Sequence, residues 1–131
     1  MVNDPVSDFI IRLKNAGMVG KHELTIPYSR LKHAIAEKLK ERGFIADVET
    51  HGKKVKKSLL VTLSYDKEGG HHIRGVKRVS KPGRRMYIGV SKIYPVKFGK
   101  GTRILSTPLG ICTGEEAREK NVGGEELFIV W

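Results

Sequence analysis

Apolar and polar positions change their rhythm along this chain of 131 residues. In the first third they recur at helical spacing. Val6, Phe9, Ile10 and Leu13 share one face, and Asp4 before Pro5 predicts the helix start: Asp accepts from orphan amides, and Pro is pre-set for the first helical position. Gly17 is the expected stop, in a left-handed conformation. His22 to Pro27 alternates, with Leu24 and Ile26 on one side, which predicts a short strand. Ser29 is the expected cap of a second helix with the stripe Leu31, Ile35 and Leu39, finished by Lys38, Lys40, Arg42 and Gly43.

Beyond Gly43 the period falls to two. Phe44 to Thr50 and Ser58 to Tyr65 are expected strands, the second with a clean Leu59, Val61, Leu63 alternation, joined by the basic hairpin loop 51–57. Asp66 to His72, with Glu68-Gly69-Gly70, predicts a linker or a long hairpin turn. Lys81-Pro82-Gly83 predicts a turn in which Pro82 fixes the first central residue and Gly83 takes a positive φ, and Met86 to Val90 follows as an extended segment. Arg103 to Thr107 is an expected strand, Pro108-Leu109-Gly110 a turn, and Ile111-Cys112 its continuation. Thr113 and Glu116 form a capping box for a short helix, Glu115 to Lys120, stopped by Asn121. Glu125 to Trp131 is the last strand. These elements predict an α+β chain of two small domains. The first, residues 1–66, runs α-β-α-β-β; 67–78 is a linker or connecting strand; 79–131 is a β-rich domain, a mainly antiparallel sheet of three or four strands with one short helix.

Charge adds a direction to this picture. Fifteen of the 25 Lys and Arg lie between Lys53 and Arg103, against two acids, Asp66 and Glu68. That stretch carries +13 of a total of +11, and the remainder sums to −2. Such concentration points to a polyanion, nucleic acid above all, where a solubility device scatters both signs. Arg84 and Arg85, just after the Lys-Pro-Gly turn, place two guanidinium forks on a rigid corner suited to phosphate. Lys54, Lys56, Lys81 and Lys92 are further candidate phosphate contacts, although the lysines of the 51–57 loop serve equally well as guards of an exposed sheet edge. The single Cys112 excludes an intramolecular disulfide and suits a reducing compartment. No apolar run approaches the ~20 residues that cross a bilayer, and Met-Val-Asn-Asp-Pro has no signal-peptide character, so the cytosol is the expected location and a membrane is not an expected partner.

Three separated motifs then share one resemblance. Gly101 to Cys112 (Gly-Thr-Arg-Ile-Leu-Ser-Thr-Pro-Leu-Gly-Ile-Cys) with Ala117-Arg118, Val79 to Tyr87, and Asn121-Val-Gly-Gly-Glu with the final strand resemble ribosomal protein eight of the bacterial small subunit. The opening Asp4-Pro5-Val-Ser-Asp with Arg12, Asn15 and Ala16 is similar too. The resemblance implies a structural constituent of the small ribosomal subunit. It implies a primary binder of a helix in the central domain of 16S-type rRNA that aids subunit assembly and hence translation. Neighbouring small-subunit proteins are implied partners, as is the chain's own messenger RNA for translational repression; an organellar ribosome is the alternative location. It further implies that Ser106, Thr107 and Gly110 meet RNA in its shallow minor groove, where 2′-hydroxyls and base edges are displayed, with Tyr87, Gly123 and Gly124 counted to the same surface. Pro108 departs from the family, which often carries a third hydroxyl there; proline removes both that hydroxyl and an N–H.

Rival chemistry has little support. His22, His33, His51, His71 and His72 lack metal-ligand spacing, and Gly99-Lys100-Gly101-Thr102 lacks the earlier glycine of a phosphate loop, Tyr94 standing there. Gly17-Met-Val-Gly20 mimics a KH clamp but leads into a strand. No catalysis, cofactor, metal or small-molecule substrate is expected. A DNA-binding module lacks a helix suited to the major groove, and the acidic, apolar Glu115 to Trp131 segment is the feature that favours a protein-binding role.

Overall fold

The computed structural model describes residues 4–53, 55–96 and 100–131. They form two compact units, Asp8–Arg74 and a second made of Gly75–Trp131 with the described residues of 1–7. Residues 67–74 therefore pack with the first unit, while Val76–Arg78 is a strand of the second. Among the described residues, no helix is long and apolar enough to cross a membrane.

The order in the first unit is α1 (Pro5–Met18), which begins in the short segment belonging to the second, then β1 (Glu23–Pro27), α2 (Arg30–Glu41), β2 (Ile45–His51) and β3 (Ser58–Leu63). β3 is central, flanked by antiparallel β1 and β2. Its alternation predicts this: Leu59, Val61 and Leu63 are buried between half-exposed neighbours. Ser29 caps α2 by accepting from the Lys32 N–H at 3.1 Å. The buried stripe is Ile35, Ala36 and Leu39, and Leu31, expected in it, is exposed. Gly43, at φ 81°, closes the helix, with the Phe44 N–H reaching the Leu39 carbonyl at 2.9 Å.

Gly17 does not end α1. The helix runs on to Met18, and Gly20, at φ 77°, takes the left-handed position. Gly17 is required for another reason: a Cβ there would lie 1.8 Å from the His71 ring. That ring is delivered by the turn after β3. Asp66 Oδ1 accepts from the N–H groups of Glu68 (2.9 Å) and Gly70 (2.7 Å), and Tyr65 bridges His71 across it, so the glycine-rich segment is a closed turn. His71 Nδ1 lies 3.3 Å from the Ser64 carbonyl, which can only accept, while Nε2 is buried without a partner. Burial, outweighing the backbone hydrogen bonds at the ring, holds the His71 pKa below its ordinary 6.5.

The second unit contains β4 (Val76–Arg78), β5 (Tyr87–Ile88), a 3₁₀ turn (Val90–Lys92), β6 (Thr102–Thr107), β7 (Gly110–Thr113), α3 (Gly114–Glu119) and β8 (Gly124–Val130). The sheet has five strands in the order β4-β8-β6-β7, with β5 also paired to β8. The count exceeds three or four because β4 and β5, three and two residues long, share one edge of β8 in succession and are too short to show a period. The extended segment expected over 86–90 is cut to Tyr87–Ile88, and the chain coils from Val90. β8 is central, with Leu127, Phe128 and Val130 buried. α3 keeps the predicted capping box and closes through Asn121 at φ 56°. Its Ala117 packs with Ile93, Leu105 and Cys112. Buried charge is paired: Arg103 with Glu126, and Arg78 with both Asp4 (3.2 Å) and the Leu127 carbonyl.

Asp4 thus caps α1 through the Ser7 N–H (3.2 Å) and anchors Arg78. Burial raises its pKa, but hydrogen bonds from Arg78 and Ser7, with the Arg78 charge, outweigh this and hold it below 3.8. A depressed carboxyl stabilises the fold above its unfolded pKa, and that contribution disappears as the pH falls below 3.8. Asp4→Asn, which keeps a capping oxygen, is expected to cost about 1.5–3 kcal/mol at neutral pH. In urea titrations the gap to wild type should close on acidification; a gap constant down to the acid limit contradicts the assignment. Gly17→Ala is expected to cost about 1–3 kcal/mol through overpacking against His71. In a His71→Ala background it should instead be neutral or gain about 1 kcal/mol. An equal penalty in both backgrounds would show that the ring is not what the glycine accommodates.

Candidate nucleic-acid interface

The β8 ladder assembles the predicted hydroxyl and aromatic residues. Tyr87 on β5 faces Glu125 on β8, Glu125 faces Ser106 on β6, and Ser106 faces Ile111 on β7. Directly opposed residues project from the same face, so these four form one transverse row. Tyr87 is 74% exposed, and Ser106, Glu125 and Ile111 are partly so. A carboxylate at the centre of a surface meant for a polyanion requires neutralisation. Glu125 receives it from Arg85 Nη1 at 3.1 Å, and the same carboxylate accepts a hydrogen bond from the buried Ser80 hydroxyl. The Ser80 Oγ also accepts from the Met86 N–H at 3.1 Å, tying the start of β5 to β8.

The two predicted hydroxyls differ. Thr107 Oγ1 donates to the Gly110 carbonyl at 2.8 Å and accepts from the Leu109 N–H at 3.1 Å, so it builds the turn. The Ser106 hydroxyl makes no hydrogen bond among the described residues. Gly110, at φ 106°, needs the conformation that only glycine adopts without strain, and Pro108 and Leu109 are exposed at the tip.

Gly123 and Gly124 bring neighbouring backbones close. A Cβ on Gly123 would lie 2.4 Å from the Ile88 carbonyl oxygen, and one on Gly124 2.2 Å from that of Ser106. Both glycines therefore set how tightly β5 and β6 approach β8.

The cations separate into committed and uncommitted groups. Arg78 is bound to Asp4 and Arg85 to Glu125, so Arg85 is not the free fork its place after the turn suggests. Arg84 and Lys81 are exposed, and their backbones pair across the turn (3.0 and 2.9 Å). Gly83 has no positive φ: Pro at the first central residue also suits a type I turn, which closes the same hydrogen bond. Lys77, Lys81 and Arg84 line an open cleft of about 290 Å³ with Val79 and Met86, and none of the three has a carboxylate partner among the described residues. Lys92 is exposed on the 3₁₀ turn. Lys56 belongs to the first unit, and Lys54 lies outside the described residues. Among the described residues, no cluster of His, Cys, Asp and Glu is arranged to hold a metal ion.

Glu125, Ser80 and Lys77 do not stand out in the sequence. Glu125 carries the one available signal, an acid directly after two glycines at a strand start; Ser80 and Lys77 acquire their roles only through pairing across β8.

Comparison with known proteins gives the chain its family. Residues 4–131 match the family model described as Ribosomal protein S8. The chain is 42% identical over 131 residues to the "Small ribosomal subunit protein uS8" of Lactobacillus delbrueckii subsp. bulgaricus, covering 100% of this chain and 99% of that one. It is 46% identical over 131 residues to the protein of that name from Mycoplasmopsis synoviae (99% and 98%), and 43% identical over 131 residues to that of Nitratidesulfovibrio vulgaris (100% and 100%).

Gly124→Ala is expected to cost about 2–3 kcal/mol in chemical denaturation, since its methyl must push the β6 backbone away. A loss below about 0.5 kcal/mol would mean that the sheet accommodates a side chain there without strain.

Proposed function

This chain belongs to the ribosomal protein S8 family, and we propose that the row Tyr87–Glu125–Ser106 with its flanking cations is its rRNA-binding surface. The family consists of small-subunit ribosomal proteins and is not enzymatic, so the chain is a structural constituent of the small ribosomal subunit, part of a ribonucleoprotein that serves translation. In our reading its target is a helix in the central domain of 16S-type rRNA, bound early enough to aid assembly, in the bacterial cytoplasm. Neighbouring small-subunit proteins and the chain's own messenger RNA, where that RNA presents a similar helix, are further partners.

One observation supports this most directly: an unspent hydroxyl, Ser106, lies in line with an exposed tyrosine beside three cations that have no carboxylate partner. A-form RNA offers a shallow minor groove lined with 2′-hydroxyls, and a serine both donates and accepts at short range. Tyr87 supplies a ring face for an unstacked base at an irregularity in the helix. Lys77, Lys81 and Arg84 meet phosphates, while Arg85 remains with Glu125 and keeps the central carboxylate from repelling the backbone. Thr107 and Gly110 shape the turn, and Gly123 and Gly124 hold the strands in register beneath it.

Hydroxyls and cations should separate in a salt titration. Against a central-domain rRNA helix with an internal irregularity, Ser106→Ala is expected to lose about 1–3 kcal/mol at every salt concentration. Lys81→Gln with Arg84→Gln is expected to flatten the slope of log K against log salt by about 2. A DNA duplex of the same sequence should compete poorly. A Ser106→Ala loss under about 0.3 kcal/mol, or equal competition by DNA, would remove the row from the binding surface.

A further inference from the structure

We propose that His71 and His72 form a clasp by which the turn after β3 grips both helices of the first unit, and that a proton on His71 opens it locally. This device stands independently of the RNA-binding reading. The turn holds its own shape: the Asp66 N–H donates to the Gly70 carbonyl at 2.8 Å, and the Gly69 N–H to the Asp66 carbonyl at 3.1 Å. Side chains attach it to its surroundings. The His71 ring occupies the space that a side chain on Gly17 of α1 would need. His72 Nδ1 lies 3.1 Å from the Gly43 carbonyl, just past the end of α2, and 2.7 Å from Ser64 Oγ. At the base of the turn the Tyr65 hydroxyl donates to the Lys21 carbonyl, and its ring centre is 5.5 Å from that of His71.

The two imidazoles respond differently to a proton. A carbonyl only accepts, so His72 donates to Gly43 through Nδ1–H, and that bond persists in either charge state. His71 uses Nδ1–H toward the Ser64 carbonyl, so an added proton must go to Nε2, which is buried without a partner. Around this ring stand Leu13 and Gly17 from α1, Ser64 and Tyr65 from the end of β3, and His72 on its own turn. Lys21 and His22 lie behind Tyr65. Asp66, the acid of the turn, is occupied by the Glu68 and Gly70 amides and by Arg74 at 3.8 Å. The new cation therefore gains no counter-charge, and a charged His72 repels it. Its desolvation outweighs the support that the Ser64 and Leu13 backbones give the charged form, so the proton binds more readily with the ring out in water. The attachment is complete above 6.5 and weakens as the pH falls below that value. Ile73, 3% exposed, is buried directly after His72, which confines the opening to 65–72 and leaves the β1-β3-β2 sheet closed.

The test is amide hydrogen exchange of the full chain, followed by NMR between about pH 7.5 and pH 5 and corrected for intrinsic rates. The His72 N–H, which donates to the Ser64 carbonyl at 3.2 Å, reports the clasp. Its protection is expected to fall by about tenfold per pH unit below 6.5, the slope of one linked proton. Val61, buried in the central strand, should keep its protection over the same range. In His71→Gln the His72 amide is expected to be weakly protected at every pH, with no slope. Gly17→Ala displaces the ring, so the His71 imidazole should titrate at about 6.5 in that variant and lower in the wild type. A flat wild-type profile overturns the clasp. Val61 losing protection in step with His72 overturns it too, because His71 would then act only on the stability of the whole unit. A His71 titration identical in Gly17→Ala and wild type removes the ring from the Gly17 face. The wild-type profile decides the matter even where a variant fails to fold.

Discussion

Close approach of β6 to β8 at Gly124 governs the second unit. With a side chain there, the Ser106 carbonyl would be 2.2 Å from its Cβ, so the ladder that sets Ser106 opposite Glu125 could not form as it stands. Everything on the candidate surface inherits that register. Tyr87 reaches the row because β5 pairs with β8 one strand away, and Ile111 because β7 follows β6 through the Thr107–Gly110 turn. Glu125 then fixes Ser80 and Arg85 at a single carboxylate, joining the turn at 81–84 to the sheet.

Polar satisfaction decides which groups remain for a partner. Thr107 resembles Ser106 chemically, yet two hydrogen bonds inside the turn occupy it. Arg85 and Arg78 resemble Arg84, yet carboxylates hold both. Pairing of that kind removes cations from long-range attraction, because the pair presents little net charge beyond a Debye length of roughly 8–10 Å. The surplus of +13 between Lys53 and Arg103 is therefore expressed by fewer groups than the composition suggests. Its uncommitted members lie in both units, among them Lys77, Lys81 and Arg84 beside the hydroxyl row and Lys53, Lys56 and Lys57 in the first unit.

The first unit depends on a different constraint, the fit of His71 against a helix surface without a side chain. Burial keeps this imidazole neutral, since charging it there would strand a cation with Nε2 unsatisfied. The sign follows: its folded pKa is depressed, so its contribution is complete above 6.5 and is lost as the pH falls below that value. Asp4 acts in the same direction at lower pH, so acid loosens both units by separate routes.

Local signals in the sequence determined what they physically control. Caps at Asp4, Ser29 and Thr113, the alternation of β3, and the apolar final strand each follow from neighbours within four residues, and all appear as expected. The α+β order and the basic centre were legible from local pattern and composition, whereas Ser106, Thr107, Gly110 and Tyr87 were singled out only by a family resemblance. Tertiary structure alone decided the rest. Gly17 looked like a helix stop because the ring that needs its empty space comes from residue 71. β4 and β5 were hidden because three or two residues cannot display a period, and only β8 makes them strands. Which arginine is free, and which hydroxyl, depends on partners up to 74 residues away, and no local pattern encodes a contact at that range.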